Sequence, residues 1–322
     1  MPKHAINLDA DADTLDAERL PQMIRLWLDD CGARLPAYTV AGYADKIGYF
    51  LDWWSGIAEW KRHELARSDL LAFAQWLATT TTRRKKPLSI NTRHDVLRRL
   101  AQCLRWAYAE RHYTPIDLSA WVPTLPPAKR TKRVATVEEL RRLLAAADLA
   151  ADPLRDRAAL ALLMQTGMRR AELCSIQVES ITMMAGWCGT LRVVGKRTTA
   201  NLTGERVVAF DAFAGSHLAA YLDAHNWPDG PLLRNEAGEA VQPKTVERIV
   251  KRAVARAGLE DVIQGPHDLR RAFVTHFRRK YTGAAYDNAL RLQVGHTADT
   301  TTDIYHMVEA SDLVEVIRGP LW

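Results

Sequence analysis

A proline-rich basic segment divides this 322-residue chain into two parts of different character. The segment at 121–134 reads WVPTLPPAKRTKRV and holds three prolines and four cations. It cannot be helical throughout, because proline lacks an amide hydrogen and clashes with the preceding turn of a helix. Strand-like patterns occur only after it. The chain is therefore expected to comprise four segments: a flexible acidic tail at 1–14, a helical domain at 15–120, the linker at 121–134, and a mixed domain at 135–322.

The part before the linker predicts an all-helical bundle. Apolar residues recur at helical spacing in several segments, as in Tyr43, Ile47, Phe50 and Trp54. Ser68 is a candidate N-cap for the third helix, and Ser89 or Asn91 is a candidate N-cap for a longer fourth helix.

The part after the linker predicts helices with a small sheet, so the fold class is mainly α with a small antiparallel sheet. Thr136 and Glu139 have the spacing of a capping box, and a later helix should end at Gly167. The strand-like segments lie near 176–182, 190–194 and 206–210. From residue 211 onward the pattern is mostly helical.

Charge and composition indicate an intracellular protein with a polyanionic partner. The chain carries 44 Lys and Arg against 38 Asp and Glu, a net charge of +6, which suits nucleic acid without proving it. Its four cysteines form no C-x-x-C pair and are expected to be buried free thiols. No apolar run reaches the roughly 18 residues of a transmembrane helix, and the acidic N-terminus is unlike a signal peptide, so a cytoplasmic location is expected.

Six polar residues have the chemistry of a phosphate site with a tyrosine nucleophile, although each is a weak signal by itself. Arg169 follows Gly167 where a new helix begins, and Lys196 sits at a turn after a strand. His267 and Arg270 open a helix on one face. The other two members are His296 and Tyr305. A tyrosine is a poor nucleophile at neutral pH without help from nearby cations.

Together and in this order, the motifs resemble those of the tyrosine recombinases, also called phage-type integrases. The matching elements are T-G-M-R with E-L, then G-K, H-D-L-R, G-H and T-D-I-Y, between about 135 and 310. The turn at Lys196 reads G-K-R rather than the family's commoner G-K-G. Arginine doublets occur at 169–170 and 270–271, and family spacing favours the first of each.

The resemblance implies a role for each matched residue. Arg169 and Arg270 would clamp the phosphate, supported by Glu172. Lys196 would be the general acid on the leaving 5′ oxygen, and Tyr305 the nucleophile that forms a 3′-phosphotyrosyl link. His267 and His296 would occupy the family's two histidine positions. No cofactor and no metal are implied.

The implied partner is double-stranded DNA with a specific recombination site. The protein would bind as a dimer per site and a tetrameric synapse, with a C-terminal interaction tail, and accessory proteins are compatible with this. The helical domain would be the family's core-binding domain. The candidate DNA contacts are the cations of both domains and the linker: Arg83, Arg84, Lys85, Lys86, Arg93, Arg98, Lys129, Arg130, Lys132, Arg133, Lys244, Arg248 and Lys251.

Two alternatives stay open from the sequence. One is a type IB topoisomerase, which shares this chemistry but relaxes supercoils. The other is a DNA-binding accessory protein without activity. The target sequence and the biological role (integration, dimer resolution or inversion) are not encoded in any motif of the chain.

Overall fold

The computed structural model describes residues 19–57, 65–82, 85–109, 114, 116–128, 133–195, 204–295 and 314. The chain divides into two compact units, Met1–Arg130 and Thr131–Trp322. In the described residues, the helices of the first unit are joined by non-helical segments without a named strand, and the second unit holds helices with a three-stranded antiparallel sheet. The predicted fold class is therefore confirmed.

In its described residues, the first unit holds four α-helices and a short 3-10 helix at Leu118–Trp121. The α-helices are α1 (Arg19–Arg34), α2 (Ala37–Ser55), α3 (Arg67–Thr79) and α4 (Ile90–Ala109). Their shared core combines aliphatic and aromatic side chains, and within it Phe50 meets Phe73 edge-on with ring centroids 4.9 Å apart. Val122 is buried in this same core, and the Ala128 amide donates to Asn91 of α4 at 2.8 Å. The beginning of the predicted linker thus packs on the first unit.

Local capping explains where the helices of this unit begin. The Ser89 hydroxyl accepts from the Thr92 amide at 3.1 Å, so Ser89 rather than Asn91 precedes α4. The N-cap expected at Ser68 is wrong, because α3 already begins at Arg67. There the Asp69 carboxylate accepts from the Ala66 amide at 2.8 Å, which satisfies the backbone donor of the residue that precedes α3.

The second unit surrounds one buried helix. Its helices are α5 (Val137–Ala145), α6 (Pro153–Thr166), α7 (Arg170–Ser175), α8 (Ala212–His225), α9 (Pro243–Ala257), α10 (Pro266–Lys280) and α11 (Ala284–Val294). Its strands are β1 (Ile181–Met183), β2 (Gly189–Val194) and β3 (Glu205–Phe210), in the order β1-β2-β3. Every residue of α6 from Ala158 to Thr166 is buried, so this helix is the centre of the core.

The sheet is shorter at its start than the sequence predicts. Residues 176–180 are expected to open the first strand, but residues 176–178 pair with 230–232 and Val178–Ser180 form a short 3-10 helix. The Ile176 carbonyl accepts from the Leu232 amide at 2.9 Å, and the Val178 amide donates to Gly230 at 2.8 Å. The pleated ladder therefore begins only at Ile181, opposite Leu191.

The predicted capping box of Thr136 and Glu139 is present at the start of α5.

Gly167 ends α6 and lets α10 approach it closely. Its φ is +62°, a left-handed conformation in which only glycine avoids steric cost. A Cβ placed on it would lie 2.5 Å from Cδ1 of the buried Phe273 ring of α10. The turn that leads to Arg169 thus depends on glycine for two independent reasons.

We expect Gly167→Ala to lower the free energy of unfolding by about 2 to 4 kcal/mol, combining left-handed strain with overpacking. Gly258→Ala is the matched control, since Gly258 ends α9 at φ +63° with nothing within 4 Å of its Cβ position. It should cost only about 1 kcal/mol. Urea unfolding of both variants measures the difference, and equal losses would show that contact with Phe273 contributes nothing.

Candidate active site

Glu172 lies in the first turn of the short helix α7 and receives two hydrogen bonds from Arg169. The Arg169 amide donates to Oε2 at 2.6 Å, and Nη1 of its side chain donates to Oε1 at 2.8 Å. A carboxylate at this position also faces the positive end of the helix. Arg169 itself stays 42% exposed, so its guanidinium has one side on the carboxylate and one side on solvent.

A second arginine, Arg206 of β3, binds the same carboxylate from the other side. Its Nη1 and Nη2 donate to Oε1 and Oε2 of Glu172 at 2.6 and 3.0 Å. Glu172 is only 1% exposed. Burial by itself would raise the pKa of Glu172, but the hydrogen bonds and charge of Arg206, aided by those of Arg169, outweigh burial and lower this pKa. The carboxylate is therefore held in its charged form.

Arg270 of α10 joins the ends of two other helices. Its Nη1 donates to the Gly167 carbonyl at 2.8 Å, after α6, and its Nη2 donates to the Val294 carbonyl at 2.6 Å, at the end of α11. Such carbonyls carry the negative end of a helix dipole and suit a cation. Burial, followed by repulsion from Arg169, lowers the pKa of Arg270 to about 10. At neutral pH the guanidinium is still charged.

One cleft of about 510 Å³ brings three predicted site residues together: Arg169, His267 and Arg270 all line it. His267 is exposed in the first turn of α10. The second arginine of each doublet makes other contacts. Arg170 pairs with Glu247 of α9, and Arg271 donates to the Arg133 carbonyl at 3.0 Å.

Lys196, His296 and Tyr305 lie outside the described residues, but two glycines that precede them do not. A Cβ on Gly195 would lie 2.7 Å from Oε1 of Glu172, and a Cβ on Gly295 would lie 3.1 Å from Cζ of Arg206. The Gly295 carbonyl also accepts from Nη2 of Arg169 at 3.4 Å. The chain therefore approaches the Glu172–Arg206 pair immediately before Lys196 and immediately before His296.

Arg206 is the residue of this cluster that the sequence did not indicate. It stands near the start of a strand in GERVVAF, where an arginine is ordinarily a solvated side chain. The pairing of β2 with β3 carries it to Glu172, 34 residues earlier in the chain. No local spacing encodes that contact.

The candidate DNA contacts fall into three groups. On α9, Lys244, Arg248 and Lys251 are exposed, and Lys251 pairs with Glu247 at 2.6 Å. In the first unit, Lys85, Lys86 and Arg98 are exposed, whereas Arg93 is half-buried. Arg133 makes two hydrogen bonds to Glu139, at 2.8 and 2.6 Å. The others lie outside the described residues: Arg83, Arg84, Lys129, Arg130 and Lys132.

Within the described ranges, no group of three or more His, Cys, Asp or Glu side chains is arranged to hold a metal ion. In the same part of the chain, no helix has the length and apolar character needed to cross a membrane.

Comparison with known proteins assigns the chain to a family. The model of the "Phage integrase family" matches residues 133–311, more than half of the chain. The chain therefore belongs to the phage integrase family, and the tyrosine recombinase resemblance of its sequence motifs is confirmed. The enzyme class, tyrosine site-specific recombinase, follows from the same match.

Among individual proteins, the chain is similar to tyrosine recombinase XerD of Bifidobacterium longum (strain NCC 2705). The two are 27% identical over 300 residues, which cover 87% of this chain and 90% of that protein. Other curated relatives match over a smaller part, down to 50% of their length.

Two solved structures share the fold. A lambda integrase (75–356) dimer bound to a COC′ core site is 18% identical with a TM-score of 0.65, covering 90% of this chain and 98% of that one. A lambda integrase tetramer bound to a Holliday junction is 17% identical with a TM-score of 0.66, covering 92% and 82%.

We expect Glu172→Gln to lower the free energy of unfolding at pH 7 by about 3 kcal/mol, because it removes the buried charge that Arg206 and Arg169 bind and leaves the largely buried Arg206 guanidinium without its counter-charge. Because the pKa of Glu172 is lower in the folded protein than in the unfolded chain, the ionised carboxylate stabilises the fold at pH values above about 4.3, the pKa of an unfolded glutamate. That stabilisation is lost as the pH falls through the pKa of Glu172 in the folded protein. The difference between wild type and variant should therefore shrink below pH 4.

Urea titrations at pH 7 and pH 3.5 measure this. Glu247→Gln is the matched control, since Glu247 also pairs with two cations, Arg170 and Lys251, but at the surface. Glu247→Gln should lower the free energy of unfolding by only a small fraction of the loss caused by Glu172→Gln. A Glu172→Gln variant as stable as wild type at pH 7 would contradict the structural role of this carboxylate.

Proposed function

We propose that this recombinase cleaves and rejoins double-stranded DNA through a 3′-phosphotyrosyl intermediate on Tyr305. The observation that carries the proposal is the convergence of Arg169, His267 and Arg270 on one cleft. Two guanidinium groups and an imidazole offer donors and positive charge to a phosphate, and the fork of arginine matches two phosphate oxygens. The assignment of Tyr305 as the nucleophile rests on membership of the family.

In the proposed first step, the Tyr305 oxygen attacks the scissile phosphorus and its phenolic proton passes to water. A P–O bond to tyrosine forms, the bond to the 5′ oxygen breaks, and Lys196 gives that oxygen a proton. Arg169 and Arg270 stabilise the charge that builds on the phosphorane, as preorganised donors do. His267 and His296 contribute further hydrogen bonds to the phosphate.

In the second step, the 5′ hydroxyl of a partner strand attacks the phosphotyrosyl link and releases Tyr305. One phosphodiester replaces another, so the exchange needs no external energy source and no cofactor. The proposed assembly is a dimer on each site and a tetramer at synapsis, with the C-terminal tail contributing to assembly. The lambda integrase structures, a dimer on a core site and a tetramer on a Holliday junction, support this by analogy.

The test of Tyr305 uses a duplex that the purified protein selects from random sequence, nicked near the scissile phosphate so that the 5′-hydroxyl fragment is lost. Wild type should accumulate a covalent protein–DNA adduct, visible on a denaturing gel. Tyr305→Phe should form none, since it lacks the attacking hydroxyl.

Tyr286→Phe is the matched control, because Tyr286 stacks on Tyr281 with centroids 5.1 Å apart and has no proposed role. It should form the adduct at the wild-type rate. An adduct with Tyr305→Phe would refute the nucleophile. Relaxation of supercoils without two-site recombination would favour the topoisomerase alternative, and binding without any adduct would favour the accessory-protein alternative.

DNA binding should depend steeply on salt, because phosphate contacts release counterions. We expect Arg248→Ala on α9 to reduce the slope of log affinity against log salt by about 0.9, the value of one phosphate contact. Arg141→Ala is the control, since Arg141 is 58% exposed on α5, outside the proposed surface. Fluorescence anisotropy from 50 to 300 mM salt measures both, and equal slopes would remove Arg248 from the interface.

A further inference from the structure

We infer that Arg206 is a positioning residue for strand cleavage: it fixes Glu172, and through Glu172 the guanidinium of Arg169, at the edge of the cleft. The inference rests on the proposed function, since it concerns the phosphate that Arg169 would bind. Arg206 does not line the cleft itself, so its action on the reaction is indirect.

The first support is the geometry at Glu172. Arg206 approaches both carboxylate oxygens, at 2.6 and 3.0 Å, with a side chain only 14% exposed. Arg169 contacts the same two oxygens, with Nη1 on Oε1 at 2.8 Å and its backbone amide on Oε2 at 2.6 Å, but its side chain is 42% exposed. Arg206 is therefore the less exposed of the two guanidinium groups on the carboxylate, and it holds the carboxylate that orients the exposed guanidinium of Arg169. Without Arg206, Glu172 and Arg169 could rotate together toward solvent.

The second support is that Arg206 also reaches the end of α11. Its Nε and Nη2 donate to the Gln293 carbonyl at 3.4 and 3.3 Å. Gly295 packs against the guanidinium of Arg206, and its carbonyl accepts from Arg169. A single side chain thus holds the carboxylate that orients Arg169 and the backbone that precedes His296. A misplacement of about 1 Å in such a site is enough to slow a reaction about 100-fold.

The third support separates this role from fold stability. The attachment of α11 to the sheet does not rest on Arg206 alone, because the buried Gln293 side chain accepts from the Ala209 amide at 3.0 Å and donates to the Ala209 carbonyl at 2.7 Å. Those bonds do not involve Arg206. Removing Arg206 should therefore leave the helix in place while freeing Glu172.

The experiment compares Arg206→Ala, Arg206→Lys and Glu172→Gln on the nicked duplex used to test Tyr305. DNA binding and the single-turnover cleavage rate are measured separately. We expect Arg206→Ala to cleave about 100-fold more slowly with affinity nearly unchanged. Arg206→Lys should lie between it and wild type, because one ammonium cannot bridge both oxygens. Arg192→Ala, an exposed arginine on β2, should cleave at the wild-type rate.

Two further readouts test whether the effect passes through Glu172 and Arg169. The double variant Arg206→Ala with Glu172→Gln should be about as slow as the slower single variant, since both interrupt one chain of contacts. A methylphosphonate at the scissile position removes one negative charge from the substrate. Cleavage of this substrate therefore depends less on charge stabilisation by Arg169. The deficit of Arg206→Ala relative to wild type should shrink on this substrate to about 10-fold or less, as should that of Arg169→Ala.

A wild-type rate for Arg206→Ala would overturn the inference, and so would multiplicative losses in the double variant or an unchanged deficit on methylphosphonate. If Arg206→Ala does not fold, Arg206→Lys carries the same three comparisons. Failure of the proposed function looks different: wild type itself would then form no adduct, or Tyr305→Phe would form one.

Discussion

The candidate site depends on one buried carboxylate placed among arginines. Glu172 is charged inside the protein because Arg206 and Arg169 donate to it, and Arg270 is kept nearby by carbonyls at two helix ends. Each guanidinium repels the others, so without the carboxylate the cluster could not be packed at low cost. The arrangement leaves net positive charge facing the cleft, and that is the charge a phosphodiester would neutralise.

Much of the fold could be predicted because its signals are local. The capping box at Thr136 and Glu139, the end of α6 at Gly167 and the helical spacing in the first unit each need only a few neighbouring residues. The predictions that failed needed distant information. Helix α3 begins before Ser68, with Ala66 at its N-cap position. Residues 176–178 pair with 230–232, and no local pattern indicates that pairing.

The candidate site divides in the same way. Arg169, His267 and Arg270 could be predicted because their motifs follow a family pattern, and the fold brings them to one cleft. Arg206 could not be predicted, because its importance comes from strand pairing rather than from a motif. The glycines before Lys196 and His296 stood in those motifs as spacing, yet their small size is what allows the chain to lie against Glu172 and Arg206.

The two bonds of Arg270 tie the chemistry to the folding transition. The carbonyls it binds belong to the end of the most buried helix and to the end of α11. Fraying of either helix would strip the guanidinium of its partners, and displacing the guanidinium would leave both helix ends unsatisfied. Loss of the cleft lined by Arg169, His267 and Arg270 on heating should thus coincide with cooperative melting of the second unit instead of preceding it.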